Sequence, residues 1–350
     1  MHINEFDYEL PAELIAQYPI EKRDQSRLMV LNRKNRSIAH RHFSDITDYV
    51  EPGDILVLND TKVIPARLMG RKQSGGKVEV FLLKPHENGG VDKNVWHCLI
   101  NCSKKPKLNS RIWFDQSLTA QIIQEEVEGF QIEFDHEGDF EEILNSIGRT
   151  PLPPYIKRVN GTQDDERLDR ERYQTTFARS KGAIAAPTAG LHFTSELLDR
   201  IREKGVDVVF LTLHVGWGTF HPVRVARVEE HRMHSEYHVL NASVARIINQ
   251  ARKRKSRIIS VGSTATRSLE SLADGQAVLQ PGCGYTNLFI YPGYRFKIVD
   301  SLITNFHLPR STLLMLVAAF AGTDFVLNAY REAIKENYRF YSYGDAMMII

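Results

Sequence analysis

The sequence predicts an α/β (α+β) main domain built from both ends of the chain, with a small antiparallel β-barrel domain inserted into it. Three observations carry this reading. Between Ala66 and about Phe134, short alternating apolar runs are separated by turn residues. Later in the chain, strand-like and helix-like patterns alternate. Between the two textures, Thr150-Pro151-Leu152-Pro153-Pro154 breaks any regular structure. The boundaries fall at 1–62 and 152–350 for the α/β domain and at 63–151 for the insert.

In chain order, Asp54–Leu58 reads as a strand of the α/β domain, with Asn59–Pro65 as the crossing into the barrel. The barrel runs are Ala66–Arg71, Lys77–Leu83, Val95–Ile100, Arg111–Phe114, Leu118–Glu125 and Phe130–Phe134. Gly75-Gly76, Asn88-Gly89-Gly90, Lys107–Ser110 and Glu128-Gly129 punctuate them. Strands this short, closed by turn residues, suit a small barrel or sandwich. Asp139 followed by Glu142 has the pattern of an N-cap with its capping-box partner and opens a helix to Ile147. After the break, Ala183–Ala186 is a short apolar strand, and Thr194 or Ser195 caps a helix ending before Gly205. Val206–Val215 and Arg257–Val261 read as buried strands around an amphipathic helix, Ala242–Lys255. Helices at Ser311–Ala321 and Asp324–Asn337 close the pattern.

Composition limits the function classes. The 350 residues are 42% hydrophobic and 25% charged, with 14 Pro and 22 Gly lacking a period, which excludes disorder, collagen and coiled coil. The longest apolar stretch, Leu313–Ala321, is about half of what spans a bilayer, so no membrane partner is expected. The start, Met1-His2-Ile3-Asn4-Glu5, has neither a basic n-region nor an apolar h-region. Cys98, Cys102 and Cys283 show no CxxC spacing, which argues against a disulfide framework and fits a reducing cytoplasm. A net charge of +2 rules out a surface coated in positive charge. It leaves local grips: Lys104, Lys105 and Lys107 on a barrel loop, and Arg252, Lys253 and Arg254 at a helix end. Favourable interaction with the helix dipole explains the second group equally.

Four segments carry candidate chemistry. His214-Val215-Gly216-Trp217-Gly218-Thr219-Phe220-His221 follows a strand end, where ligands sit in α/β sheets. Gly216 and Gly218 let the backbone approach a ligand, and Trp217 and Phe220 offer faces to a base or a cation. A turn around a buried Trp is the plainer reading, against which stand two imidazoles flanking one short loop. Pro187–Thr194, with His192, and Val261–Arg267, with Thr264, Thr266 and Arg267, each run into a helix N-terminus that suits an anion. Ordinary Ser/Thr capping explains both almost as well. Histidines at 231, 234 and 238 suggest zinc if 234 and 238 share a helix face, but the HExxH order is absent and a solvated basic face is the stronger reading. In Ile303–Ser311, Asn305 and His307 join a strand to an apolar helix, and His307 equally suits a packed core histidine.

Taken together these segments resemble the S-adenosylmethionine:tRNA ribosyltransferase-isomerase family of queuosine biosynthesis, over nearly the whole chain. Leu58-Asn59-Asp60-Thr61-Lys62-Val63-Ile64-Pro65-Ala66-Arg67, Glu171-Arg172-Tyr173-Gln174-Thr175, Ala186–Thr194, Leu213–Val223, Ile303–Leu316 and Tyr338–Ala346 carry the likeness. Ser263 stands where Thr is expected, and Asn287 where Asp is expected, so position 287 receives no acid–base role. The resemblance implies transfer of the ribosyl part of S-adenosylmethionine to 7-aminomethyl-7-deazaguanine at the tRNA wobble position. Rearrangement would give epoxyqueuosine in tRNA and release adenine and methionine. S-adenosylmethionine is then a consumed co-substrate, with no resident cofactor and no metal. The tRNA would carry a G-U-N anticodon, and the chain is expected to act as a monomer. A sulfonium acidifies the neighbouring 5′ carbon, so a modest base suffices. His214 or His221 is the expected base, with Glu236 in reserve. Trp217 and Phe220 would stack on adenine or face the sulfonium. Thr264, Thr266 and Arg267 would hold the methionine carboxylate or ribose, and His192, Asn305 and His307 would line the pocket. The competing readings are a zinc-dependent hydrolase using His231, His234 and His238, and a non-catalytic RNA-binding protein.

Overall fold

Two short strands near the start, β1 (Arg27–Asn32) and β2 (Ser37–His42), form an antiparallel hairpin that the apolar pattern did not reveal. The structure is a computed structural model and describes every residue except 87–93, 116, 159–160, 217 and 219–222. Next comes β3 (Ile55–Asn59), every residue of which is buried. Its Ile55 and Val57 enter one core and its Leu56 and Leu58 another, as strand alternation requires when both faces are covered.

A three-residue strand, β4 (Thr61–Val63), leads into the barrel strands β5 (Arg67–Lys72), β6 (Lys77–Pro85), β7 (Val95–Asn101), β8 (Arg111–Trp113), β9 (Leu118–Glu126) and β10 (Gly129–His136). Among the described residues these six close into an antiparallel barrel in the order β10-β7-β6-β5-β8-β9. Every run expected from the sequence is present within two residues. Leu68, Val80, Leu82, Ile112, Ile122 and Ile132 fill the barrel. The helix α1 (Phe140–Ile147), capped by the Asp139 carboxylate accepting from the Glu142 N–H at 2.9 Å, packs Leu144 against that core. A second helix, α2 (Gln163–Arg172), is almost wholly polar, so no apolar periodicity marks it in the sequence.

The chain returns through β11 (Ser180–Ala183), which pairs in parallel with β4. Here the structure corrects the sequence reading: the strand precedes 184–186, because Ser180 and Lys181 pair with Thr61 and Lys62. Residues Ala183–Ala186 are nevertheless buried. Then follow α3 (Ser195–Glu203), capped by Thr194, and β12 (Asp207–Leu213). Next are β13 (Glu236–Leu240), α4 (Ala242–Lys253), β14 (Ile258–Val261), α5 (Gly262–Leu272), β15 (Gly282–Thr286) and β16 (Ser301–Asn305). The last elements are α6 (Thr312–Ala321), α7 (Thr323–Lys335) and β17 (Ala346–Ile349). No single described helix is long and apolar enough to cross a membrane.

The main sheet has the order β15-β13-β12-β3-β14-β16-β17-β1-β2. Its centre, β12-β3-β14-β16, is parallel. The carboxyl ends of these four strands therefore share one edge, and the neck β4–β11 rises from that edge to the barrel. Helices α4 to α7 pack on one face of the sheet and α3 on the other.

Candidate functional site

The loops beyond the carboxyl ends of β3, β12, β14 and β16 bring most of the described candidate residues to one edge of the sheet, the usual ligand side of such sheets. Asn59, the last residue of β3, reaches across to β12: its Nδ2 donates to Leu213 O at 2.9 Å, and its Oδ1 accepts from the N–H groups of Leu213 and Thr61 at 3.0 and 3.1 Å. That clamp sets Thr61 beside His214, with Thr61 Oγ1 2.8 Å from His214 Nδ1. The Thr61 hydroxyl donates to Ser180 O at 3.4 Å and so accepts from Nδ1–H, which leaves Nε2 as the basic nitrogen. Burial lowers the His214 pKa below the ordinary imidazole value, partly opposed by the negative charge of Asp60. The imidazole is therefore neutral at pH 7. Gly182, at φ 140°, lies so near that a Cβ there would sit 3.0 Å from the His214 ring.

His214, Gly216, Gly218 and Glu236 line a cleft of about 590 Å³ between the sheet edge and the barrel. The barrel contributes Leu83, Lys84, Trp96, His97, Glu126 and Glu128. Glu236 is buried on β13, where Oε1 accepts from the Gly216 N–H at 3.0 Å and Oε2 is ion-paired with Arg267 from α5. Arg267 also donates to the Leu288 carbonyl at 2.9 Å. With both oxygens occupied, the carboxylate fastens the glycine loop to the sheet, which suits positioning better than proton abstraction. Trp217, Phe220 and His221 lie outside the described residues.

Thr264, Asn305 and His307 line a smaller cavity of about 60 Å³, which shares Val215 as a wall with the cleft. His192 is buried behind it. Its Nδ1 lies 2.7 Å from Ser26 Oγ, its Nε2 3.2 Å from Asn305 Nδ2, and its ring stacks on Phe43 at 4.9 Å. Burial, with the Arg23 charge adding to it, lowers its pKa to about 3. His307, 2.6 Å from Thr304 Oγ1, is likewise lowered to about 3 by burial. Both are neutral, packed imidazoles. Thr266 is fully buried, its hydroxyl donating to the Gly262 carbonyl at 3.0 Å and lying 2.9 Å from Ser260 Oγ, and lines neither space.

The remaining candidates separate. His234 and His238 do not share a helix face, because His238 lies on strand β13 and His234 precedes it. Among the described residues no three His, Cys, Asp or Glu side chains gather to hold a metal ion. Arg252, Lys253 and Arg254 end α4, just before β14 begins, and so sit at the sheet edge opposite the cleft. Lys104, Lys105 and Lys107 are exposed on the loop after β7, and Lys105 pairs with Glu125.

Sequence reasoning assigned no role to Asp60, Thr61, Gly182, His97 or Glu126. The first two stand in the Leu58–Arg67 segment that carries the family likeness. His97 and Glu126 are joined at 2.7 Å only by barrel pairing, across 29 positions of sequence, and no local pattern announces that.

Similarity to known proteins bears on the same arrangement. Residues 3–349 match the family described as queuosine biosynthesis protein. Proteins named S-adenosylmethionine:tRNA ribosyltransferase-isomerase from Syntrophotalea carbinolica and Geotalea uraniireducens are 51% and 52% identical, with the whole of both chains covered in each case. One from Pelobacter propionicus is 52% identical at the same coverage. The crystal structure of S-adenosylmethionine tRNA ribosyltransferase from Thermotoga maritima is 40% identical, covers 99% of this chain and all of its own, and superposes with a TM-score of 0.56. Over residues 3–349, which take in both the main sheet and the barrel, this chain belongs to the queuosine biosynthesis protein family.

Proposed function

We propose that this chain is an S-adenosylmethionine:tRNA ribosyltransferase-isomerase, with S-adenosylmethionine and a tRNA as its substrates. The full-length identity of 51–52% to proteins of that name carries the reading. The reaction moves the ribosyl part of S-adenosylmethionine onto 7-aminomethyl-7-deazaguanine at the wobble position of a G-U-N anticodon. It ends in epoxyqueuosine-tRNA, adenine and methionine. The donor is consumed, and the chemistry calls for no resident cofactor.

The cleft suits this work. A neutral imidazole is what proton removal from the carbon beside a sulfonium needs, and His214 Nε2 is the basic nitrogen at the cleft wall. Sulfur leaves as the neutral thioether of methionine, so no leaving anion needs stabilising. Glu236 and Arg267 act through the Gly216 backbone as positioning residues. Three free cysteines suit a reducing cytoplasm, where tRNA is modified.

The experiment is incubation with S-adenosylmethionine and precursor-bearing tRNA, reading free adenine. Release of adenine with epoxyqueuosine formation is expected, and His214→Ala should lower turnover at least about a hundredfold. A chain that releases no adenine would overturn the proposed activity. Near wild-type turnover in His214→Ala would remove the base from His214, and His221→Ala is then the variant to measure.

A further inference from the structure

The small cavity behind Val215 has a composition that selects its occupant. Its floor is the start of α5, which follows β14 without a connecting residue because Gly262 takes φ 85°. No side chain caps this helix, so its first-turn N–H groups and their positive end of the dipole face the cavity. Thr264, 9% exposed, lines the cavity with its Oγ1 unpartnered. Asn305, which ends the neighbouring strand β16 and is 1% exposed, spends its Nδ2 protons on Tyr341 O at 3.0 Å and His192 Nε2 at 3.2 Å. Its Oδ1 is left as an acceptor without a donor. Among the described residues no Asp, Glu, Lys or Arg lines the space, and its other walls are largely apolar or aromatic.

Such a site is wrong for a lone ion, which would be buried without a counter-charge. It suits a zwitterion, whose anionic end needs N–H and O–H donors and whose cationic end needs a carbonyl acceptor and aromatic faces. At 10–15 Å³ per water-sized position, about 60 Å³ holds roughly four to six such positions, enough for an ammonium, a carboxylate and the carbon between them.

We infer that this cavity holds the α-amino-acid end of S-adenosylmethionine, its carboxylate on the α5 N-terminus and Thr264 Oγ1, and its ammonium on Asn305 Oδ1. The inference rests on the proposed activity for the identity of the donor. Val215 lines both spaces, so they are neighbours, and in this assignment the methionyl stem runs past Val215 toward the cleft, bringing the sulfonium and its 5′ carbon to the side of His214, the preceding residue. The unpartnered Thr264 Oγ1 and Asn305 Oδ1 are then paired in the complex. This narrows the carboxylate contacts to Thr264, since Thr266 and Arg267 are spent on other partners.

Equilibrium dialysis of radiolabelled S-adenosylmethionine and its decarboxylated analogue against wild type, Thr264→Val and Thr264→Ser tests this without turnover. Loss of a hydrogen bond to a charged group, about 1.5–3 kcal/mol, predicts a Kd for S-adenosylmethionine raised roughly 10- to 150-fold in Thr264→Val and largely restored in Thr264→Ser. The analogue should bind wild type more weakly than the intact donor does, and Thr264→Val should leave that weaker affinity unchanged. Equal weakening of both ligands, or no weakening of the intact donor, overturns the assignment. Adenine release measured alongside keeps the two proposals apart. Donor binding with the expected pattern but no adenine release overturns the activity and leaves the cavity assigned. Adenine release with Thr264→Val indifferent to the carboxylate overturns the cavity alone.

Discussion

Acid should unfold this protein through two histidines that it keeps neutral. His192 and His307 have pKa values near 3 in the folded state, chiefly because burial penalises the imidazolium. In the unfolded chain each returns to about 6.5. Above pH 6.5 neither state binds the proton, so the stability is fully present. Between pH 6.5 and 3 the unfolded chain takes protons that the fold refuses, and each site costs about 1.4 kcal/mol per pH unit. At pH 4.5 that is about 2.7 kcal/mol for each residue, or about 5 kcal/mol together, comparable to the whole stability of many domains. Urea unfolding at pH 7.5, 6.5, 5.5 and 4.5 reads the loss. Gln at 307 keeps an amide near Thr304 and removes the titration, so His307→Gln should flatten the slope by about 1.4 kcal/mol per unit between pH 6.5 and 4.5. An unchanged slope in that variant would refute the reasoning. Adenine release in protein still folded separates this loss from protonation of His214.

Three further predictions concern the cleft, the sheet and the barrel loop. Gly182→Ala sets a methyl 3.0 Å from the His214 ring at φ 140°, and should lower turnover at least tenfold while costing about 1–3 kcal/mol of stability by urea unfolding. The buried Glu270 carboxylate accepts from the N–H groups of Lys297, Ile298 and Val299 at 2.8–3.0 Å and from the Tyr294 hydroxyl at 3.2 Å. Glu270→Ala strands these donors just before β16 and should cost about 3–5 kcal/mol; a loss below 1 kcal/mol would contradict the network. Replacing Lys104 and Lys107 by Ala should weaken tRNA binding and reduce its salt slope by roughly 0.7 to 0.9 for each phosphate no longer neutralised, whereas Lys253→Ala, at the far edge of the sheet, should not.

Much of the fold was legible because the barrel strands alternate and are punctuated by glycine, and because the parallel strands are continuous apolar runs. The strands that escaped notice have other signatures. Glu236–Leu240 begins with a carboxylate and contains a histidine, yet both are buried in β13 by ion pairing and by neighbours remote in sequence. The same polar pattern suggested a helical zinc face, which strand geometry removes. Ser180–Ala183 carries almost no apolar residue, because its partner β4 and the clamp at Asn59 hold it. At the site, His214, Gly216 and Thr264 could be singled out because a loop beyond a strand end is visible in sequence. His97 and Glu126 could not, since barrel closure alone makes them neighbours.

The register of β17 has a consequence for how the chain is made. Leu28 to Leu31 of β1 pair in parallel with Ala346 to Ile349, so an early strand waits for a very late one. At ribosomal rates of about 5–20 residues per second, the separation of some 300 residues amounts to roughly 15–60 s. For that interval Leu28-Met29-Val30-Leu31 presents an unpaired apolar edge, the kind that recruits foreign strands. The nascent protein thus passes through a window in which its first hairpin needs shelter, and slower synthesis lengthens that exposure.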